Sequence, residues 1–518
     1  MKNPANAENT SINSDTTPLR DSIVPVGSAC CDQLARSVFA AWKRWLISED
    51  AANFDIASNH GFAIPVDCCP GKMSATLSLP RILPHVLCEW IGCRLFLWSG
   101  PVCERKRISL VSSRLTKRKD LHSDWYSALR TAVLRIDANG EALISVDRTS
   151  TSAAVLRASE LFGVSCLRLI VSEGQCIDER ELSAWIRAEI HQSNLRKNSD
   201  ANVVRVSPEL CISTPTQSSG DTDTEIPIVD RAAFALAERL LVLSCRPNGH
   251  IESLTKRHLR NSHRRSCHVL AASNNGRSIP AQLIDEGVIP WILTSTDADT
   301  DRGSLTSDPE LTPSSVVPGV ELLSDNPLTS PDDWLCHWTR PCFGPWQGQP
   351  VDEYLDELIL GCKSADRSGI AALLRMISTG CIQASSPENN HGGCVSFTAV
   401  PLREFRQRRI FRRHRQRYDF EPRGIAIRRS TLVELGARPV EYPTFEDYQQ
   451  LQDRRWYQPA TDARGRLDWT TEREWRLYGE VDLATLKPTD VCIFVDSEDE
   501  QQLLTRHTDW TVFRTPDQ

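Results

Sequence analysis

Residues 107–114 read Arg-Ile-Ser-Leu-Val-Ser-Ser-Arg: an apolar run ending at Val111 that stops on the polar Ser112-Ser113-Arg114. A short apolar run closed by hydroxyls and a cation reads as a buried strand delivering a polar loop to a sheet edge. The same unit then repeats along the chain. Trp125, Leu129, Ala132 and Val133 share one face of a predicted helix, and Ala142 to Val146 is a second strand. The turn Asp147-Arg148-Thr149-Ser150-Thr151 leads into a helix from Ser152 to Phe162, and Leu167 to Val171 is a third strand. Ala184-Trp185-Ile186 lies on a further helix. Residues 194–224 are polar and read as a surface insertion. Beyond them come a helix (Ala232 to Arg239), a strand (Leu240 to Ser244), the turn Arg246-Pro247-Asn248-Gly249 and a helix (Ile251 to Leu259). A strand (Cys267 to Ala272), a helix (Pro280 to Glu286) and a strand (Ile289 to Leu293) complete the series. Strands alternating with helices make a parallel sheet covered on both faces. The fold class expected is α/β, a Rossmann-like domain over residues 98–295, followed by a separate α+β domain.

The flanks are less regular. Residues 1–25 read as a disordered tail and 26–97 as a lead-in or cap, with an amphipathic helix from Cys30 to Ile47. Residues 296–330 are rich in Ser, Thr, Asp and Pro, the composition of a flexible linker. The second domain spans 331–518, and no internal repeat is visible.

A formal net charge of -7 argues against a nucleic-acid coat along the whole chain, while leaving room for a local basic patch. The polar N-terminus lacks a secretory signal, and the apolar stretch Leu79 to Trp98 is broken by Pro80, Arg81, Pro84, Glu89 and Arg94. A cytoplasmic protein without a membrane span is therefore expected. The 18 cysteines include no C-x-x-C pair, so they read as thiols in a reducing compartment and no metal site is expected.

Ligands of open parallel sheets bind beyond the carboxyl ends of the strands. Three loops there carry suitable groups. Ser112, Ser113 and Arg114 offer hydroxyls and a guanidinium for phosphate; Thr149, Ser150 and Thr151 precede a helix N-terminus. Pro247, Asn248 and Gly249 precede another helix and permit close backbone approach. Each turn alone also fits a plain helix cap. Together they predict a ligand-binding site.

The runs ISLVSSRL, ISVDRTSTSAAVLRASELFGV, ERLLVLSCRPNGHIESLTKRHL and VLAASNNGRSIPAQLIDEGVIPWIL resemble the superfamily (SLOG) joining DNA-processing protein A and the Lonely Guy phosphoribohydrolases. Leu283-Ile284-Asp285-Glu286-Gly287-Val288 is similar to that superfamily's closing segment. The resemblance covers about 200 residues and implies a nucleotide-binding Rossmann-like fold. Of the hydrolase motif Pro-Gly-Gly-x-Gly-Thr-x-x-Glu, only Pro247 and Gly249 are kept: Asn248 and Ile251 replace glycines, and Thr255 stands in the place of the Glu. That departure argues against hydrolysis of a nucleoside monophosphate and for binding or sensing.

The second half opens with Trp334-Leu335-Cys336-His337-Trp338-Thr339-Arg340-Pro341. Further strands are read at Cys394 to Thr398, Gly424 to Ile427 and Val440 to Tyr442, before Glu472-Arg473-Glu474-Trp475-Arg476-Leu477. This order resembles uncharacterised domains of abortive-infection and phage-defence proteins, and distantly the ADP-ribosyltransferases. That resemblance implies that His337 and Thr339 hold NAD and that Glu472 or Glu474 stabilises charge at the anomeric carbon. The residues themselves read more simply as a strand with a salt bridge. Arg403 to Arg417 packs eight arginines into fifteen residues, interleaved with Phe405, Ile410, Phe411 and His414. Arg408, Arg409, Arg412 and Arg413 are candidates for nucleic-acid phosphates; an amphipathic helix burying Leu402, Phe405 and Phe411 is the other reading. The combined expectation is a nucleotide sensor joined to an effector, in phage defence and acting on NAD. The alternative is a non-enzymatic nucleotide- or nucleic-acid-binding protein.

Overall fold

The computed structural model describes residues 31–33, 35, 36, 39, 40, 63, 64, 73–76, 90–92, 94–99, 105–195, 202–210, 226–260, 266–271, 281–292, 327, 328, 330–385, 393–404, 411, 412, 417, 418, 421–462, 464, 465 and 468–515. The chain divides into two compact units: Met1–Arg114 with Ser127–Asp297, and Leu115–Tyr126 with Ala298–Gln518.

The first unit is built on β1 (Ala63–Ile64), β2 (Met73–Thr76), β3 (Phe96–Ser99), β4 (Lys106–Ser112), β5 (Glu141–Val146), β6 (Cys166–Val171), β8 (Asn202–Val206), β10 (Arg239–Ser244), β11 (Ser266–Ala271) and β12 (Ile289–Ile292). The short strands β7 (Gln175–Cys176) and β9 (Glu209–Leu210) form a separate parallel pair. The large sheet runs β1-β2-β3-β8-β6-β5-β4-β10-β11-β12. From β8 to β12 every neighbouring pair is parallel, giving seven parallel strands. The first three strands extend the sheet in antiparallel fashion, which gives part of the expected lead-in an ordered place. The connecting helices are α1 (Ser123–Leu134), α2 (Ser152–Leu161), α3 (Glu179–Leu195), α4 (Ile228–Ala235), α5 (His250–Arg260) and α6 (Ala281–Asp285). This is a Rossmann-like α/β domain.

The physical cause is visible in the central strands. Arg107 to Ser112 of β4 and Ala142 to Val146 of β5 are buried throughout, as strands covered on both faces must be. Helix α4 adds Ile228, Val229, Ala232, Ala233 and Phe234 to a core that also holds Val111, Ile144, Leu169, Val204 and Val242. Burial of each of the Val, Leu, Ile and Phe side chains among them contributes roughly 1.5–3 kcal/mol.

The expected insertion at 194–224 is corrected in part: Asn202–Val206 is a sheet strand between β6 and β3. Polar neighbours hid it in the sequence. Val203, Val204 and Val206 are buried, and the buried Arg205 guanidinium meets Glu189 at 2.8 Å. A buried cation with a close partner is tolerated where an isolated one is not. The described residues between 31 and 40 are helical, within the expected Cys30–Ile47 helix. Of the expected linker, only 327, 328 and 330 are described; the expected tail at 1–25 lies outside the described residues.

The second unit is a separate mixed sheet. Its strands are β13 (Trp334–Trp338), β15 (Cys394–Thr398), β18 (Gly424–Arg428), β19 (Arg438–Pro439), β20 (Glu474–Tyr478), β22 (Val491–Val495) and β23 (Thr511–Arg514), in the order β19-β20-β15-β13-β18-β22-β23. Among its described strands, only β22 and β23 pair in parallel. Two small pairs accompany it, β14 (Cys381–Ile382) with β21 (Val481–Asp482) and β16 (Phe411–Arg412) with β17 (Arg417–Tyr418). Strand alternation gives each face its own core. Leu335, Phe397, Ile425, Leu477 and Ile493 pack with Leu373 and Ile377 of helix α8 (Gly369–Thr379; α7 is Val351–Leu360). Trp334, Cys336, Trp338, Ala426, Cys492 and Phe494 form the other core.

Two expectations change here. Val440 to Tyr442 is not a regular strand: pairing with β20 is confined to Arg438 and Pro439, and Glu441 makes an isolated bridge to Tyr457. The Arg-rich segment is not one continuous helix either. Leu402 to Glu404 are helical, but 411–412 and 417–418 are antiparallel strands with Arg412 opposite Arg417. Arg408, Arg409 and Arg413 lie outside the described residues.

Candidate functional site

Numbered along the chain, the seven parallel strands stand fourth, third, second, first, fifth, sixth, seventh. The order reverses between β4 and β10, the place where an open α/β sheet leaves a crevice at its carboxyl edge. All three loops singled out in the sequence flank that reversal, because β5, β4 and β10 are neighbours. The pairing of β4 with β10 shifts register between Val242 and Ser244, so the irregularity falls where the strands end.

The loops are bound to one another. Ser113 donates its N–H to the Ser244 carbonyl at 2.8 Å, and its Oγ accepts the Arg246 N–H at 3.0 Å. Arg246 Nη2 donates to the Arg114 carbonyl at 2.5 Å. Ser150 Oγ donates to the Ser112 carbonyl at 2.5 Å, and Thr151 Oγ1 donates to the Leu110 carbonyl at 2.9 Å. Thr149 Oγ1 donates to the Val146 carbonyl at 2.8 Å. The three hydroxyls read as phosphate donors therefore brace the loop against strand ends. Ser112 Oγ likewise turns to a carbonyl, that of Ser113, at 2.8 Å. Asp147 forms a two-pronged pair with Arg168, 2.8 Å on each prong, and Arg148, at φ 68°, donates to the Val171 carbonyl at 2.7 Å. Such bracing holds the loop in one conformation.

The groups not spent on bracing are backbone N–H and guanidinium. The N-cap of α2, Thr151, makes no side-chain capping bond, so the first-turn N–H groups of that helix have no hydroxyl over them. The Arg114 side chain is exposed and forms no ion pair among the described residues. Arg246, also exposed, stands beside it through the shared carbonyl. At α5 the arrangement differs. Asn248, at φ 57°, aims its N–H at Glu252 Oε2, 2.7 Å away, while Lys256 Nζ meets Glu252 Oε1 at 2.7 Å. The Lys256 contact, with the Asn248 N–H, holds the Glu252 carboxyl below the usual range. Gly249 sits tightly: an added Cβ would lie 3.1 Å from the Arg246 carbonyl oxygen. The Asp230 carboxyl, in the first turn of α4, is raised by burial and partly drawn back by the charges of His250 and Arg114.

Arg246, Glu252 and Asp230 were not singled out in the sequence. Glu252 had a readable signal: an acid three residues into a helix that begins after Gly249 is the second half of a capping box. Asp230 had none, since its approach to Arg114 arises from tertiary packing.

The second-unit candidates are dispersed. Thr398, between them, pairs with Cys336 on one side and Glu474 on the other, so Cys336 and Glu474 share a face and His337 points to the opposite one. His337 stacks edge-on with Phe397 at 5.8 Å and donates from Nδ1 to the Ser396 carbonyl at 2.9 Å. Burial pushes it down to about 4. Thr339 is fully buried. Glu472 ends a 3-10 turn, and its carbonyl accepts from Thr398 Oγ1 at 2.5 Å. Glu474 is engaged by Arg476 Nε and Nη2 at 2.9 and 2.8 Å and by Ser396 Oγ at 2.7 Å. His337 and Glu474 are therefore not brought together. Among the described residues, no group of three or more His, Cys, Asp or Glu side chains is placed to hold a metal ion, and no helix is long and apolar enough to cross a membrane.

No family model matches the chain, and no curated protein matches it. Among solved structures, DNA processing protein A from Streptococcus pneumoniae aligns over 44% of this chain and 74% of its own, at 14% identity and a TM-score of 0.28. The molybdenum cofactor carrier protein from Chlamydomonas reinhardtii aligns over 38% of this chain and 98% of its own, at 9% identity and a TM-score of 0.19. The fold assignment rests on the strand order and pairing of the sheet itself.

Proposed function

We propose that the first unit is a SLOG-like domain that binds a phosphate-bearing nucleotide derivative at the β4–β10 reversal, as the sensing part of a two-part protein. One observation carries this reading: three pre-braced loops meet at the reversal, with Arg114, Arg246 and the N-terminus of α2, which no side chain caps, at the same sheet edge. Backbone N–H groups and guanidiniums are the donors a phosphate takes. In this reading the second unit responds to occupancy of the first. An NAD-consuming effector in phage defence is one form of it. The locked Glu474–Arg476 pair and the separation of His337 from Glu474 favour the other form, a non-enzymatic binding protein.

The test is thermal unfolding of the full chain with inorganic phosphate, nucleoside monophosphates, cyclic dinucleotides, NAD and ADP-ribose. A ligand at about 100 times its dissociation constant adds roughly 2.7 kcal/mol. The expected result is a clear upward shift with a nucleotide that is lost in Arg114→Gln/Arg246→Gln. No shift with any compound on folded protein overturns the reading.

A further inference from the structure

Two helices, α2 and α5, begin at the carboxyl ends of the strands on either side of β4, so each could offer its N-terminus to an anion in the crevice. The chain treats them differently. At α2 the loop hydroxyls of Thr149, Ser150 and Thr151 all turn toward strand carbonyls, so the N-cap Thr151 makes no side-chain capping bond to the helix N–H groups. At α5 the place of an anion is taken by the protein's own carboxylate. Glu252 is 5% exposed, accepts the Asn248 N–H at 2.7 Å and is bridged to Lys256 at 2.7 Å. The left-handed backbone at Asn248 turns that N–H into the helix end. A ligand phosphate arriving there would meet a negative charge already in possession of the N–H group.

Resting on the reading of the crevice given above, we propose that Glu252 is a specificity-determining residue. It closes the α5 side to phosphate, so the site takes a ligand with a single phosphate, seated on the α2 side with Arg114 and Arg246. The β10 side of the crevice is left for the uncharged sugar or base. Dinucleotides and nucleoside diphosphates, whose second phosphate needs further donors, are rejected by like-charge repulsion rather than by lack of room.

Titration calorimetry of the full chain with a nucleoside monophosphate and the matching diphosphate reads this directly. The wild type is expected to favour the monophosphate by about tenfold, the factor that 1.4 kcal/mol represents. Glu252→Gln keeps an oxygen for the Asn248 N–H but removes the charge, and is expected to bring the two affinities to within about threefold, under 1 kcal/mol apart. Lys256→Met leaves the carboxylate uncompensated and is expected to widen the preference. Two variants pushing the ratio in opposite directions separate this effect from a general loss of folding. Equal affinity in the wild type, or a ratio unmoved in either variant, overturns the inference while leaving the phosphate site standing. Failure of both nucleotides to bind the wild type refutes the site itself, and this inference with it.

Discussion

Replacing Arg476 with Met should unfold the second unit at a much lower temperature without touching any solvent-facing charge. Arg476 is fully buried on the central part of β20. Its guanidinium holds Glu474 in a two-pronged pair and also reaches the carbonyls of Arg454, Arg455 and Tyr457 at 3.3, 2.8 and 3.1 Å and Gln458 Oε1 at 3.3 Å. It thereby ties the loop after α10 (Phe445–Gln450; α9 is Arg429–Glu434) to the sheet. Methionine fills similar volume, so the loss is electrostatic rather than a cavity. Removing one partner of a buried pair costs about 3–5 kcal/mol, because the carboxylate left behind is uncompensated. For a unit of this size that is a fall in Tm of about 6–20 °C. Scanning calorimetry of the full chain measures it. Glu474→Gln combined with Arg476→Met should cost less than the sum of the two singles, since one pair is being broken twice. A fall below about 1 kcal/mol, or strict additivity, would refute the view that Glu474 is a structural anchor.

Two further outcomes are expected. Thr151→Val keeps the side-chain shape but removes the donor to the Leu110 carbonyl; it should cost about 1 kcal/mol of stability and also weaken nucleotide binding by loosening the α2 loop, read by denaturant titration with and without ligand. The half-buried His337, which desolvation holds neutral, should make the second unit acid-sensitive. Its folded pKa of about 4 lies below the ordinary 6.5, so between those values the unfolded chain takes up a proton that the folded one refuses. Stability should therefore fall as pH drops from about 6.5 toward 4, by at most about 3 kcal/mol, and His337→Phe should flatten that slope in unfolding curves recorded across the window.

Much of the first unit was legible because its central strands are buried on both faces. Ile108 to Val111 and Ala142 to Val146 then read as apolar runs broken only by Ser109 and Ser145, and the polar stops after them mark the sheet edge. The same logic placed Ser113, Thr149, Ser150 and Asn248 in loops at that edge, but not what their groups do. Hydroxyls that looked like ligand donors spend their protons on strand carbonyls, a pairing set by which strands are neighbours and invisible to local pattern. Strand β8 was missed because four residues, Val203 to Val206, are too few to stand out among Ser, Thr and Asn, and Arg205 reads as exposed until Glu189 is seen beside it. In the second unit, spacing in sequence misled about proximity. His337 and Glu474 occupy nearby strands, yet the two-residue period of a strand puts them on opposite faces, which only the register of Cys336 with Thr398 and of Thr398 with Glu474 reveals.

The most direct test of a nucleotide site at the reversal is amide hydrogen exchange of the full chain with and without a saturating nucleoside monophosphate. Slowed exchange concentrated in residues 112–114, 149–154 and 246–250 is the expected footprint. Protection that spares these three segments, or appears only in the second unit, would contradict it.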